Sequence, residues 1–236
     1  MNEQFSRLEL LIGSDALTRL QQARVAVFGV GGVGGYAVEA LARSGVGALD
    51  LFDNDEVSLS NLNRQIIALH STVGKKKVQV ATERITDINP NCKVVPHAMF
   101  YLPEVADQVD LTAYNYVVDC VDTVTAKLEL IRRCHEHGIP IISSMGAANK
   151  MEASAFCVAD IYQTDIDPLA KVLRKKLRKL GIGQLKVVYS KEPPLEPMEK
   201  VMLENKARPV PASNAFVPAT AGLIIAGEVV KDIIRT

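Results

Sequence analysis

The stretch VAVFGVGGVGGYAVEALARSG at residues 25–45, with its sequel LDLFDNDEVSLSNLNRQ at residues 49–65, decides the fold of this chain. The apolar, β-branched run 24–28 reads as a buried strand. Gly29, Gly31 and Gly34 come next with G-x-G-x-x-G spacing. The first allows a tight turn, the second lets backbone come close to phosphate, and the third lets the next helix pack against the strand. Gly32 belongs to the same approach surface. A helix over 33–43 then turns its N-terminal N–H groups and dipole toward an anion. Asp53 closes a second strand, 48–52, about 20 residues on, where an acid that binds ribose is expected. Plainer readings exist for each part: a tight strand–helix turn for the glycines, a turn or capping role for Asp53. Together the parts predict a strand–loop–helix–strand unit built around a nucleotide. They leave the class of enzyme open, because a dehydrogenase starts the same way.

The residues after Asp53 narrow the field. Asp53-Asn54-Asp55-Glu56 runs into Ser60-Asn61-Leu62-Asn63-Arg64-Gln65, then Gly74-Lys75-Lys76-Lys77, then Asp119-Cys120-Val121-Asp122-Thr123 after a strand over 116–120. A redox pocket has no need of Asn61, Arg64 and Lys77 there. The series resembles the ubiquitin-activating-type (ThiF/MoeB-type) adenylating enzymes, over about residues 5–150. That resemblance implies ATP and Mg²⁺, with Gly29, Gly31, Gly32, Gly34, Asp53, Asp55, Arg64, Gln65 and Lys77 around the nucleotide. In adenylation a carboxylate attacks the α-phosphate of ATP, so two anions meet and charge builds on the phosphates. Fixed cations and a metal then contribute most. Arg64 can fork onto phosphate oxygens, and Lys77 adds a compact charge. Asp122 offers a hard oxygen ligand to Mg²⁺, and Asn61 can orient a phosphate or a carboxylate. The plainer readings are an Arg64–Glu56 surface pair, a solvated lysine run at 75–77, and Asp122 as cap of a helix starting near Val124.

The segment Phe5-Ser6-Arg7-Leu8-Glu9 resembles the Y-x-R-Q-I segment of the same superfamily, with Leu8-Glu9 in place of Gln-Ile. By that resemblance Arg7 is supplied in trans to the ATP of the other subunit of a homodimer. Its plainer reading is a wet-face residue of an amphipathic N-terminal helix.

The composition suits one intracellular α/β domain, residues 1–236. The net charge is zero, 48% of residues are hydrophobic and there is no Trp. A chain of this length can bury one large core. Alternating strands and helices predict a Rossmann-like, mostly parallel sheet with helices on both faces, extended by further strands and a C-terminal helix from about residue 219. The N-terminus lacks a signal-peptide core. The clean apolar part of the uncharged stretch 209–227 is only 221–226, far short of the ~20 residues of a spanning helix. A cytoplasmic protein is expected, with peripheral membrane association left open. Cys92, Cys120, Cys134 and Cys157 form no C-x-x-C; structural disulfides and a zinc knot are not expected.

The second half points to the substrate. Strands are expected near 141–144, 156–161 and 185–189, a helix over 168–180, and a Pro-rich loop, flexible in this reading, over 192–211. Residues 171–191 hold Lys171, Arg174, Lys175, Lys176, Arg178, Lys179, Lys186 and Lys191 with no acid. Leu169, Val172, Leu173, Leu177 and Leu180 supply the apolar stripe, so the helix turns a basic face outward. Such a face is usually just solvated, but one without acids fits an RNA backbone. Here ISSMGAANK (142–150), ADIYQTDIDPLAKVLRKKLRKLGI (159–182), LKVVYSKEPP (185–194) and FVPATAGLIIAGEVV (216–230) resemble the tRNA threonylcarbamoyladenosine dehydratase branch of the superfamily. The resemblance implies ATP-dependent cyclisation of the threonylcarbamoyl group on adenosine 37. Lys150, Lys171, Arg174, Lys175, Lys176, Arg178 and Lys179 are then the expected RNA contacts. The nucleophile that closes the ring belongs to the substrate, so no enzyme thiol is required; Cys120 reads as a small buried residue. A monovalent cation and a cysteine-desulfurase or sulfur-acceptor partner come with the resemblance, and no residue argues for either. Three alternatives stand beside this reading: activation of a sulfur-carrier protein's C-terminal glycine, a non-catalytic partner subunit of an activating enzyme, and an NAD oxidoreductase.

Overall fold

The computed structural model describes residues 3–199, 201–202 and 209–235. β1 (Arg24–Phe28) is apolar along its length because both of its faces are covered: Val25 to Phe28 are fully buried. That is why this strand reads as a continuous hydrophobic run rather than an alternating one. α3 (Gly34–Arg43) comes after it, then β2 (Ala48–Phe52), which lies parallel to β1 with Val27 opposite Leu51. α4 (Lys77–Ile88) leads to β3 (Lys93–His97) on the far side of β2. The chain then crosses to β4 (Tyr116–Asp119) on the other side of β1, and α5 (Val124–His137) carries it to β5 (Ile141–Ser144).

β6 (Phe156–Asp160), α6 (Pro168–Lys179) and β7 (Lys186–Ser190) complete one seven-stranded sheet of order β3-β2-β1-β4-β5-β7-β6. Only β6, at the edge, runs antiparallel, pairing with β7. The expected mostly parallel Rossmann-like sheet is therefore present. Two helices precede it, α1 (Ser6–Ile12) and α2 (Ser14–Gln22), and α7 (Val217–Arg235) ends it.

Alternate residues of each strand feed different cores. Val25, Val27, Leu49 and Leu51 pack with α3, α4 and α7 on one face. Ala26, Phe28, Phe52 and Val117 pack with α5 and the turns over 103–113 on the other. A third cluster joins α5, α6 and β7.

Several expected boundaries move by a residue or two. The helix expected over 33–43 starts at Gly34, and the strand expected over 116–120 ends at Asp119, so Cys120 leaves the sheet. The C-terminal helix starts at Val217, because Asn214 Oδ1 accepts from the Val217 N–H at 2.9 Å. Of the loop expected over 192–211, residues 200 and 203–208 lie outside the described residues. Its two ends are fastened to one residue: Leu195 donates to the Asn149 carbonyl at 2.7 Å, and Ala212 donates to Asn149 Oδ1 at 2.7 Å.

Candidate active site

After β1 the chain turns one way, to β2; after β4 it turns the other way, to β5. Their carboxyl ends therefore diverge and leave a crevice, the usual ligand position in such sheets. A cleft of about 480 Å³ opens there, within the range of small-molecule sites. Gly29, Gly31, Gly32, Asp53, Asp55, Asn61, Arg64, Gln65, Lys77 and Asp122 all line it. The sequence-predicted nucleotide set, spread over almost a hundred residues, is thus brought together; Gly34 lies just behind and Arg7 lies elsewhere.

The glycine loop is the tightest part. Gly29 has φ +88°, and a Cβ on it would lie 2.7 Å from the Cys120 carbonyl oxygen. A Cβ on Gly34 would lie 1.8 Å from the Gly29 carbonyl oxygen, so only glycine lets α3 start this close to β1. Among the described residues the N–H groups of Gly31, Gly32 and Val33 have no protein acceptor. Asp53 braces the loop. Its Oδ2 accepts from the Val30 N–H at 2.7 Å and its Oδ1 from the Asp55 N–H at 2.9 Å. The carboxylate expected at a ribose is thus also a backbone anchor.

Lys77 reaches the cleft through a short antiparallel contact. Val57 donates to the Lys75 carbonyl at 2.9 Å, Lys77 to the Asp55 carbonyl at 3.0 Å, and Gly74 turns the chain with φ +86°. Lys77 is only 5% exposed, and its Nζ lies 2.6 Å from Asp55 Oδ2 and 3.9 Å from Asp53 Oδ1. The solvated-run reading therefore fails for Lys77. Asn61 closes a 3-10 turn (Leu59–Asn61), its Oδ1 accepting from the Ser58 N–H at 3.0 Å. The Asn61 carbonyl in turn accepts from the N–H groups of Arg64 and Gln65. The Arg64 Nη1 donates to the Ser60 carbonyl at 2.8 Å and to Asn63 Oδ1 at 3.0 Å, which holds the guanidinium at the rim. Its expected surface rival does not form, since Glu56 pairs with Lys76 at 3.2 Å. Asp122 is exposed, and Thr123, not Asp122, occupies the cap position of α5.

Phe28 and Phe52, stacked at 4.2 Å, form an apolar end with Met99, Tyr101 and Val121. Sequence reasoning misses Met99, Phe100, Tyr101, Ala147 and Ala148, all of which line the cleft. They stand on irregular loops beyond β3 and β5; Met99, Phe100 and Tyr101 carry no motif, and Ala147 and Ala148 belong to the ISSMGAANK segment but have no side-chain chemistry to mark them. Cys120 lines the cleft too, and burial pushes its thiol up to about 12, so it stays protonated at neutral pH.

The cleft suits a nucleoside triphosphate with Mg²⁺. A Cβ on Gly31 would meet only Gln65 Nε2, at 3.9 Å, so the loop leaves open room at its surface. Gln65 Oε1 is buried without a hydrogen-bond partner, which a polar ligand would correct. Among the described residues no three His, Cys, Asp or Glu side chains are grouped to hold a metal. A single carboxylate such as Asp122, completed by phosphates, is a common way to hold Mg²⁺.

The RNA set needs correcting in part. Lys150 is 3% exposed, donates to the Glu192 carbonyl, and loses basicity through burial against the pull of Asp167 and Glu192. It clasps loops together and does not face solvent. Arg174 donates to the Thr164 carbonyl at 2.8 Å, and Arg178 sits over the Tyr162 ring at 5.3 Å. Lys171, Lys175, Lys176 and Lys179 are exposed and make no ion pair among the described residues. A further cavity of about 550 Å³ opens at the amino ends of β4 and β7, but Lys186 and Tyr116 on it are spent on Asp232.

The model of the ThiF family matches residues 4–235. The chain belongs to the ThiF family. The ThiF-family chain is 49% identical to the tRNA threonylcarbamoyladenosine dehydratase of Bacillus subtilis (strain 168), over 100% of its own length and 96% of that protein. It is 40% identical to the tRNA threonylcarbamoyladenosine dehydratase of Escherichia coli (strain K12), over 75% of its length and 66% of that protein. The crystal structure of the E. coli tRNA N6-threonylcarbamoyladenosine dehydratase in complex with ATP superposes with a TM-score of 0.90, at 34% identity over 99% of this chain and 94% of that one. The similarity thus extends through α6, β7 and α7, beyond the nucleotide half of the ThiF fold.

Proposed function

We propose that this chain is an ATP-dependent tRNA threonylcarbamoyladenosine dehydratase that cyclises the modified adenosine 37. The observation that carries this reading is the convergence of Asn61, Arg64, Lys77 and Asp122 on one cleft at the glycine loop, in a chain similar along its whole length to a protein of that name. The carboxylate of the threonine attacks the α-phosphorus of ATP and pyrophosphate leaves. The carbamoyl group of the same side chain then attacks the activated carbonyl carbon, a proton is lost, and the bond to AMP breaks as the ring closes. Both partners of the second step sit on one substrate, so alignment alone supplies much of the rate.

The chain's own groups hold and neutralise. The apolar end at Phe28 and Phe52 takes the base, with Asp53 near the ribose. The free N–H groups of the glycine loop face phosphate at the start of α3. Arg64 turns its unused donors to the α- and β-phosphates. Lys77 exchanges Asp55 for a phosphate oxygen, a short move because its Nζ already sits between two carboxylates. Asp122 would hold Mg²⁺, which supplies charge neutralisation on the phosphates. Asn61 orients the incoming carboxylate. The exposed lysines of α6 grip the tRNA backbone. Arg7 is exposed, does not line its own cleft, and stands on α1 beside Leu10 and Leu11, each 82% exposed. A homodimer that covers those leucines and delivers Arg7 to the partner's cleft fits this placement. No helix among the described residues is long and apolar enough to cross a membrane, and a tRNA substrate puts the site of action in the cytoplasm.

The test is direct. The protein is incubated with ATP, Mg²⁺ and tRNA bearing the threonylcarbamoyl mark, and the nucleosides are weighed after digestion. ATP-dependent loss of the mass of one water is expected. No loss, with adenylate formed on a carrier-protein tail instead, overturns the reading.

A further inference from the structure

Lys127 is one of the largest fully buried side chains of the molecule, and the adenylation chemistry makes no use of it. All three of its ammonium protons are engaged. Nζ donates to Asp119 Oδ2 at 3.0 Å, to the Ser143 hydroxyl at 3.3 Å and to the Ser144 carbonyl at 2.8 Å. Asp119, also fully buried, accepts from the Ser143 hydroxyl on Oδ2 and from the Val121 N–H on Oδ1 at 3.2 Å.

The placement gives this pair a purpose. Asp119 ends β4 and Lys127 lies in the first turns of α5, so the pair bridges the two flanks of the loop that carries Asp122. Val121, held by Asp119, is the residue immediately before Asp122. Ser144, held by Lys127, ends β5 and leads into the segment whose Ala147 and Ala148 line the cleft. Two apolar side chains of similar volume would stabilise such a site about as well as a buried ion pair, because burial strips both charges of water. They could not hold the Val121 N–H or the Ser144 carbonyl. We infer that Lys127 and Asp119 are a positioning pair: they fix the β4–α5 loop, and with it Asp122, against the opposite wall of the cleft.

This inference rests on the reading of Asp122 as the Mg²⁺ ligand, and the experiment keeps the two apart. The full chain is made as wild type, as Asp122→Ala, and as the triple variant Lys127→Met, Asp119→Leu, Ser143→Ala, which leaves no buried polar side chain of the group behind. Thermal melting, ATP affinity by calorimetry with and without Mg²⁺, and turnover are measured on each. The triple variant is expected to melt near wild type and bind ATP normally without Mg²⁺. Its Mg²⁺-dependent gain in ATP affinity should disappear, and its Mg²⁺ requirement for turnover should rise about 10–100-fold, the usual effect of losing an outer-shell partner. A variant that melts like wild type and keeps the wild-type Mg²⁺ response overturns the inference while Asp122→Ala is inert. If Asp122→Ala itself keeps that response, the site reading falls and this inference with it. Should the triple variant not fold, Asp119→Glu serves. It retains both charges but shifts the oxygen that holds Val121, and the same loss of Mg²⁺ response is expected; an unchanged response overturns the inference.

Discussion

Gly34 stands where any side chain would collide with the carbonyl of Gly29. Relief requires α3 to retreat from β1, which pulls the free N–H groups of the loop away from phosphate. Gly34→Ala is therefore expected to weaken ATP binding at least tenfold and to lower the melting temperature, read by calorimetry and thermal denaturation. On the role proposed for Arg64, charge stabilisation that grows as the phosphates react, Arg64→Ala should lower kcat about 10²–10³-fold with a smaller change in ATP affinity. Near-normal steady-state rates in that variant would show Arg64 to be a rim residue only. At this scale the sequence was legible where a residue type is dictated by backbone or by charge: Gly29, Gly31, Gly32, Asp53, Arg64, Lys77 and Asp122 all line one cleft. Lys150 and Lys127 were not legible. A lysine's letter says nothing of burial, and the partners of both are scattered: Glu192 and Asp167 for the first, Asp119, Ser143 and Ser144 for the second.

Among the elements, α6 shows how a basic helix divides its charges. Of its expected apolar stripe Leu173 and Leu177 are fully buried and Leu169 half-buried, but Val172 and Leu180 face solvent, Ala170 taking the buried place beside them. Asp167 caps its start by accepting from the Ala170 N–H at 2.8 Å while its other oxygen takes the Gly146 N–H at 3.1 Å. Arg174 is spent on Thr164, whereas Arg178 stays exposed above the Tyr162 ring. Charge reversal of Lys175, Lys176 and Lys179 to Glu should weaken tRNA binding and flatten its salt dependence, with ATP binding unchanged; filter binding across a salt series checks this. Lys150→Met, in contrast, should lower the melting temperature and leave the salt slope alone. The helix was legible from its stripe and its proline at the first turn. The contact between residues 55–57 and 75–77 was not, although it alone delivers Lys77. It is two or three residues long on each side, too short for any periodicity, and its register depends on the turn at Gly74.

For the whole molecule, Asp50 on β2 is a fully buried carboxylate whose hydrogen bonds tie stability to pH. Arg24 takes it in two hydrogen bonds, 2.8 and 2.9 Å, and His97 adds a third at 3.0 Å. Burial pushes the Asp50 carboxyl up, but the hydrogen bonds from Arg24 and His97 outweigh it and hold the carboxyl below its ordinary range. A carboxyl depressed by folding contributes stability above its unfolded pKa of about 3.9, and that contribution is lost as pH falls through the folded value. Asp50→Asn should cost about 2 kcal/mol at neutral pH, less than a fully buried pair because the Arg24 side chain is 38% exposed. The variant's stability should also lose part of its dependence on pH below about 4, measured by urea denaturation. At the same scale, the proposed homodimer with Arg7 supplied in trans predicts that Arg7→Ala and Arg64→Ala chains, each impaired alone, regain activity on mixing. A heterodimer holds one cleft with both arginines intact, so statistical exchange restores roughly a quarter of the sites. No recovery after subunit exchange would place Arg7 outside the partner's site.

By itself the sequence determined the elements and their chemistry. Periodicity marks which residues must be buried, glycine spacing marks where backbone must bend or approach, and charged residues without an apolar reason mark those that line the cleft. It also determined the family, because motifs from residue 5 to residue 230 agree. The tertiary structure alone decided adjacency. The strand order β3-β2-β1-β4-β5-β7-β6 brings the ends of β1 and β4 side by side, and so places Asp122 across from Gly31 and Arg64. It decided which lysines face water and which are clasped, and it assembled Lys127, Asp119 and Ser143 beneath the cleft. The physical reason is the range of the forces. Backbone conformation and amphipathic pattern are written over a few neighbouring residues, whereas burial and charge pairing depend on groups that only the closed sheet brings within 3 Å.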